Sequence, residues 1–303
     1  MKWMHTTHFP AIAALVLWFI PIAHQRPTLL WQTAQVAGTI RARVLNESSG
    51  LAIAPQMPEV LWSHNDSGDA PRLYAISRAG ELLAQVDLAG VPAYDIEDIA
   101  AGPCRPHDTR WCLFVADIGD NRHKRAYTRV YRFGVPDTLR RGRLDVEHVE
   151  YVRYPEGPHD AEALVVHPLT GQRWIIQKSK SGRSNVFVLP EGNSNAKSPK
   201  LMRLEARIDL QADPGVGRLV TGADMSSDGR CLMVRTYTAV HTYCAHASTH
   251  PSAYAAAKVD ILVTPSMFQS EAVAFDPVRK GLWISSERWP APLLYIPPRV
   301  RPR

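Results

Sequence analysis

After residue 30 the 303-residue chain has no long apolar run and no window of sustained 3.6-residue periodicity, which excludes a polytopic membrane protein and argues against long helices. Charged residues are few at 21%, against 45% hydrophobic, so the chain is not a disordered tail, and 18 glycines exclude a collagen-like repeat. There are only four cysteines and no CxxC pair, which leaves a zinc site without its usual spacing. A GxSxG elbow, a P-loop, an HExxH helix and an EF-hand loop are all missing, and with them the commonest hydrolase, nucleotide and calcium signatures.

Punctuation, by contrast, is abundant. Twenty-four prolines and 18 glycines favour many short elements joined by turns. The formal charge of +6 comes largely from short basic runs at residues 122–125 (RHKR), 140–143 (RRGR) and 299–303 (RVRPR). They are scattered and lack aromatic base-stacking partners, so they read as solvated loop charge, and no nucleic-acid partner is expected.

The N-terminus carries Lys2 and then an apolar stretch over residues 9–23. Fifteen apolar residues suit a secretory signal better than a spanning helix, which needs about 20. Pro21 makes a poor cleavage context after Ala23, so residues 1–25 are either a signal peptide or an uncleaved signal anchor. Both place the protein outside the cytoplasm, in the periplasm, secreted, or tethered to the inner membrane by that segment alone. There the pairs Cys104/Cys112 and Cys231/Cys244, each local in sequence, read as two hairpin-closing disulfides.

Self-comparison finds a repeat. Five segments join an acid to small and apolar residues, at Glu47, Glu97, Glu162, Asp224 and Glu271, about 50 to 65 residues apart. A second strand-like run follows each, then a third that often contains an aromatic, then a fourth at residues 82–88, 146–154, 201–208 and 259–263. Four antiparallel strands repeated in this way predict an all-β fold, a β-propeller of four-stranded blades over residues 37–298. Five blades are counted, and a sixth, degenerate unit has room in the longer spacings. The fifth unit has only three runs, and residues 39–45 (TIRARVL) are predicted to close the ring as its missing outer strand, leaving 299–303 as a basic tail.

In such blades the first strand starts and the second ends on one face of the disc. The five acids should therefore converge at the mouth of the central channel, where like charges repel unless a cation lies between them. A hard ion such as Ca²⁺, which accepts an irregular cage of oxygens, is the expected cofactor, with Glu47, Glu97, Glu162, Asp224 and Glu271 as ligands. The alternatives are that the acids cap inner strands or act directly in catalysis. The ends of the second strands bring Asn65 and Asp66 (HNDSGD), Asp117, Asp120 and Asn121 (DIGDN), Lys178, Arg235 and Glu287 to the same face. Asp66 and Asp117 are the candidate catalytic bases. Asn65, Asp120, Asn121, Lys178, Arg235 and Glu287 are the candidate substrate contacts, the two cations suiting an anion. His159–Asp160 beside Glu162 is a weaker acid/base candidate, and the tryptophans read as inter-blade packing.

With HNDSGD, DIGDN and HDAEAL in place, residues 40–297 resemble a family of exported bacterial β-propeller proteins. More distantly the chain is similar to phytase-like and TolB-like propellers, and its inner acids resemble those of five-bladed calcium-dependent apyrases. That last resemblance implies a channel Ca²⁺ ringed by the five acids, although here all five units carry one and Asp224 sits differently in its motif. Two functions follow as expectations. One is a metal-dependent hydrolase of a phosphorylated or other anionic small molecule. The other is a binding or scaffold propeller with a structural Ca²⁺ and an extracytoplasmic ligand. A monomer is expected for both.

Overall fold

Strands account for nearly all regular structure in the computed structural model, which describes residues 30–140, 142–246, 248 and 250–299. The proposed leader and most of the basic tail lie outside these residues.

The first strand, β1 (Gln35–Ile40), precedes the repeat. Blade I follows as β2 (Ser48–Ala52), β3 (Val60–Asn65), β4 (Arg72–Ser77) and β5 (Leu82–Ala89). Blade II is β6 (Ile96–Pro103), β7 (Trp111–Asp117), β8 (Thr128–Gly134) and, after a short β9 (Gly142–Asp145), β10 (His148–Arg153). Blade III is β11 (Ala161–Val166), β12 (Arg173–Gln177), β13 (Arg183–Val188) and, after β14 (Lys200–Leu201), β15 (Arg203–Asp209). Blade IV contains β16 (Val220–Met225), β17 (Cys231–Thr236), β18 (Ala239–Cys244) and β19 (Val259–Val263), with the one-turn α1 (Pro251–Ala255) before its last strand. Blade V is β20 (Val273–Phe275), β21 (Leu282–Ile284) and β22 (Ala291–Ile296).

Within each blade, strands pair antiparallel in sequence order. β1 pairs antiparallel with β22 and supplies the fourth strand of blade V. The chain is a five-bladed β-propeller. The closing strand covers residues 35–40 rather than 39–45, because the chain beyond Ile40 turns back to enter β2. Two additions were not expected: β9 lies parallel against β5 of the preceding blade, and β14 parallel against β10.

The apolar core is five wedges, one between each pair of neighbouring blades. One position of the second strand fills each wedge with a large side chain: Trp62, Phe114, Trp174, Met233 and Trp283, all at most 2% exposed. These five are equivalent in register, which is why tryptophan recurs in the sequence without contributing to a site. Both local disulfides form, Cys104–Cys112 and Cys231–Cys244. Such bonds suit an oxidising, extracytoplasmic environment. Among the described residues no helix is long and apolar enough to cross a membrane.

A carboxylate-rich channel mouth

Each innermost strand begins with the same irregularity. Pairing with the second strand skips one residue, a β-bulge, at Ser49, Glu97, Glu162 and Thr221. In blade V the bonds from Ser285 N to Ala272 O and from Glu287 N to Gln269 O put Glu271 at the skipped position. A bulge frees a residue from the ladder and re-aims its side chain, here at the start of the strand beside the channel.

The repeat is therefore out of step with its acids in two units. Glu47 lies two residues before the bulge, where its equivalents are Asp95, Asp160, Leu219 and Gln269, and it is exposed. Ser49 occupies the ring position instead, its Oγ 2.9 Å from Glu271 Oε2 and 3.3 Å from Glu97 O. In blade IV the ring residue is Thr221, whose Oγ1 donates to Ser270 O at 3.1 Å. Asp224 sits three residues deeper along the strand. Its oxygens accept the backbone N–H groups of Met225 and Phe275, both at 2.7 Å, stitching blade IV to blade V. Asp98 does the same between blades II and III, accepting from Ile99 and Leu164 at 2.8 Å each. Capping is thus what Asp224 does, while Glu97, Glu162 and Glu271 keep the ring position.

A second tier is formed where the chain leaving the second strand faces the residue two before the bulge: Asp66, Ile118, Lys178, Tyr237 and Glu287. Lys178 Nζ reaches Glu162 Oε1 at 2.6 Å and Tyr237 Oη at 3.1 Å, and Tyr237 in turn donates to Glu271 Oε1 at 3.1 Å. Burial opposes the Lys178 charge, but Glu162 outweighs it and the ammonium is held above its ordinary pKa. Glu287, 5% exposed, accepts from Gln269; burial, then the neighbouring Glu271, push it up to about 10. This chain spans blades III, IV and V and neutralises that half of the mouth internally.

Apart from Glu162, the acids of the other half have no such lysine partner. Asp66, Asp95 and Glu97 each offer an oxygen within 4.8 Å of the others, and so do Glu97, Asp160 and Glu162. Glu97 belongs to both trios. A Ca²⁺ ion binds oxygens at about 2.3–2.6 Å, so oxygens that can share one ion lie up to about 5 Å apart, and both trios fit. Without a cation the group is strained electrostatically. Burial, then the charges of Asp66 and Asp160, push Asp95 up to about 6. Burial and Glu162 hold Glu97 well above the carboxylate range, and burial raises Glu162 to about 8 despite Lys178. One buried oxygen, Asp66 Oδ1, has no hydrogen-bond partner.

The DIGDN and HNDSGD loops build the walls of this site. Asp117 is fully buried, with Arg125 2.8 Å from Oδ1 and Arg129 3.0 Å from Oδ2, so as placed it is an anchor and not a free base. Gly119 packs so closely that a Cβ there would overlap Glu97 Oε1 and Asp95 Oδ2. Asp120 caps the turn, accepting from Lys124 N and Arg125 N at 2.9 and 2.8 Å, and its own N–H donates to Asp160 Oδ1 at 2.8 Å. Arg125 also ties down Gly119 O at 2.8 Å, so this member of the basic run is a loop clamp and not solvated charge. Asn65 is saturated by Glu47 N, Val44 O and Asp69 Oδ2 at 3.1, 2.8 and 2.8 Å. Asn121 is exposed at the loop tip. Arg235 lies under the mouth, fully buried, with none of its three nitrogens hydrogen-bonded; burial brings it down to about 9 against the pull of Glu271. His159 stacks on Phe187 and meets Tyr154 edge-on, so its ring belongs to the wedge between blades II and III.

Asp95 was missed in the sequence, Asp160 was read there only as a weaker acid/base candidate with His159, and both belong to the carboxylate cluster. Their signal was present as an acid two residues before the ring glutamate, in Asp95-x-Glu97 and Asp160-x-Glu162.

No family model and no curated protein matches the chain. Solved structures similar to it include the PQQ-bound aldose sugar dehydrogenase of Streptomyces coelicolor, at 11% identity and a TM-score of 0.49, covering 88% of this chain and 98% of that one. A Thermus thermophilus protein assigned as a glucose dehydrogenase is similar at 11% identity and a TM-score of 0.45, covering 88% and 99%. At this distance the likeness carries no argument about activity.

Proposed function

We propose that the protein is an exported binding propeller whose channel mouth holds a hard divalent cation of the Ca²⁺ class. The ligands are Asp66, Asp95 and Glu97, with the coordination completed by an oxygen donor of an extracytoplasmic ligand. The observation that carries this is the trio of Asp66, Asp95 and Glu97, whose oxygens lie within 4.8 Å of one another and none of which is paired with Lys178, the lysine that Glu162 takes. Oxygen-only ligands at irregular spacing favour Ca²⁺ over Zn²⁺.

Hydrolysis of a phosphorylated small molecule draws less support. Of the groups such a reaction would use, Asp117 is held by two guanidiniums, Lys178 is bonded to Glu162 and Tyr237, and Arg235 has no exposed surface. Asp66 alone remains placed as a base, and it is also a candidate metal ligand.

A thermal melt of the metal-stripped protein tests the proposal. An ion at a hundred times its Kd stabilises by about 2.7 kcal/mol, a Tm rise of several degrees. The rise is expected with Ca²⁺, weaker with Mg²⁺, and absent in Glu97→Gln. An unchanged melting curve with Ca²⁺ would leave the acids as strand caps and remove the reading.

A further inference from the structure

The face opposite the mouth carries a cleft of about 280 Å³ between blades II and III. It lies where β6, β8 and β13 end and β10 and β12 begin, so it is separated from the carboxylate site by the thickness of the disc. Its floor is apolar, formed by Phe114, Val130 and the Cys104 end of a disulfide.

Its charges do not balance locally. Three carboxylates stand nearby: Glu191 is exposed at the rim, and the other two are already taken. Glu147 receives two hydrogen bonds from Arg110, each 2.9 Å, and Glu150 receives two from Arg173, at 3.1 and 2.6 Å. Of two further arginines, Arg105 has no carboxylate partner and Arg132 shares Glu147 with Arg110. Arg132 is only 15% exposed; Nη1 donates to Cys104 O at 2.8 Å, while Nε lies 3.6 Å from Glu147 and makes no hydrogen bond. Burial and the repulsion of Arg105 and Arg110 pull the Arg132 pKa below its ordinary value, with Glu147 opposing. Arg105 is exposed at the rim and forms no ion pair among the described residues. At the opposite rim, Lys200 donates to the Glu191 carbonyl, and its Nζ stands 2.6 Å from where a Cβ on Gly192 would lie, so glycine with φ +91° keeps that side open and cationic. A largely buried guanidinium that shares its one carboxylate with Arg110, near two cations without a carboxylate partner and above an apolar floor, leaves positive charge in excess.

We propose that this cleft is a second ligand site, for a small organic oxyanion. The carboxylate or phosphate sits on Arg105, Arg132 and Lys200, and the apolar body lies on Phe114 and Val130. Its volume sets the size at a single ring or short chain, and its position makes it independent of the cation at the mouth.

Isothermal titration with phenyl phosphate, with phenol as the neutral control, tests this on the full chain. Saturable one-to-one binding is expected, at least tenfold tighter than phenol. It should fall about tenfold in Arg105→Gln, an exposed position whose replacement leaves packing intact, and further in Arg132→Lys. Glu97→Gln and EDTA should leave it unchanged. Equal affinity for phenol, full affinity in Arg105→Gln, or loss of binding with EDTA would each overturn the proposal, the last by moving the anion to the metal.

Discussion

Asp117 and Glu97 are both buried carboxylates, yet their surroundings assign them opposite work. Asp117 is matched by two arginines, and removing one partner from such a buried arrangement costs about 3 kcal/mol or more because the other charges stay behind. Asp117→Asn is therefore expected to lower Tm by about 6 °C or more in calorimetry. The Ca²⁺ response, measured relative to its own metal-free baseline, should survive. Gly119→Ala should behave in the reverse way. Its Cβ would push Glu97 and Asp95 apart, so Ca²⁺ affinity measured by titration should fall at least tenfold. Asp224→Asn should leave that affinity unchanged, because its oxygens serve Met225 and Phe275 on the inner strands and not the mouth.

Among the elements, the inner-strand bulge is the one that makes a site out of a repeat. It lifts one residue per blade out of the ladder, and only blades II, III and V place an acid there. The second and third strands of blade IV are joined differently, with Cys231 directly opposite Cys244 across the antiparallel pair. Closing a 13-residue separation restricts the unfolded chain by about 3 kcal/mol. A Cys231→Ala, Cys244→Ala double variant should lose roughly that much in urea unfolding, with the metal response retained. Loss of the metal response in this variant would show that blade IV's two middle strands help shape the mouth.

Across the whole ring, acidity and closure are linked. Asp95, Asp224 and Glu162 are raised to about 6, 7 and 8 from an ordinary value near 4. The folded protein thus holds protons that the unfolded chain has already lost, and stability must fall as pH rises through that window. The metal-free protein is expected to melt highest near pH 5 and progressively lower from pH 6 to 8. Ca²⁺, which needs the ionised ligands, should restore most at pH 8. A flat pH profile without metal would contradict the burial of these acids. Ring closure rests on β1, with Trp31 Nε1 donating to Thr242 Oγ1 at 2.8 Å as an added tie to blade IV. A chain begun at residue 42 leaves β22 as an open edge beside buried Leu293, and should aggregate or lose cooperative unfolding.

Architecture was legible in the sequence because it follows from short-range patterning. Alternating strands, turn residues and a tryptophan recurring at one register position state the blade, its number and the local disulfides without reference to distant parts of the chain. The ring acids of units two, three and five were legible for the same reason. Glu47 and Asp224 were aligned with the ring acids by their neighbours in sequence, but they lie two residues before and three residues after the bulge of their strands, and similar acid-containing segments can carry different registers. Asp117 meets Arg125 and Arg129, and Glu162 meets Lys178, within one blade each, but the approach of Asp66 and Glu162 to Glu97 was decided only when the blades came together. Charge balance depends on distances of a few ångströms between residues remote in the chain, and the sequence carries no measure of them.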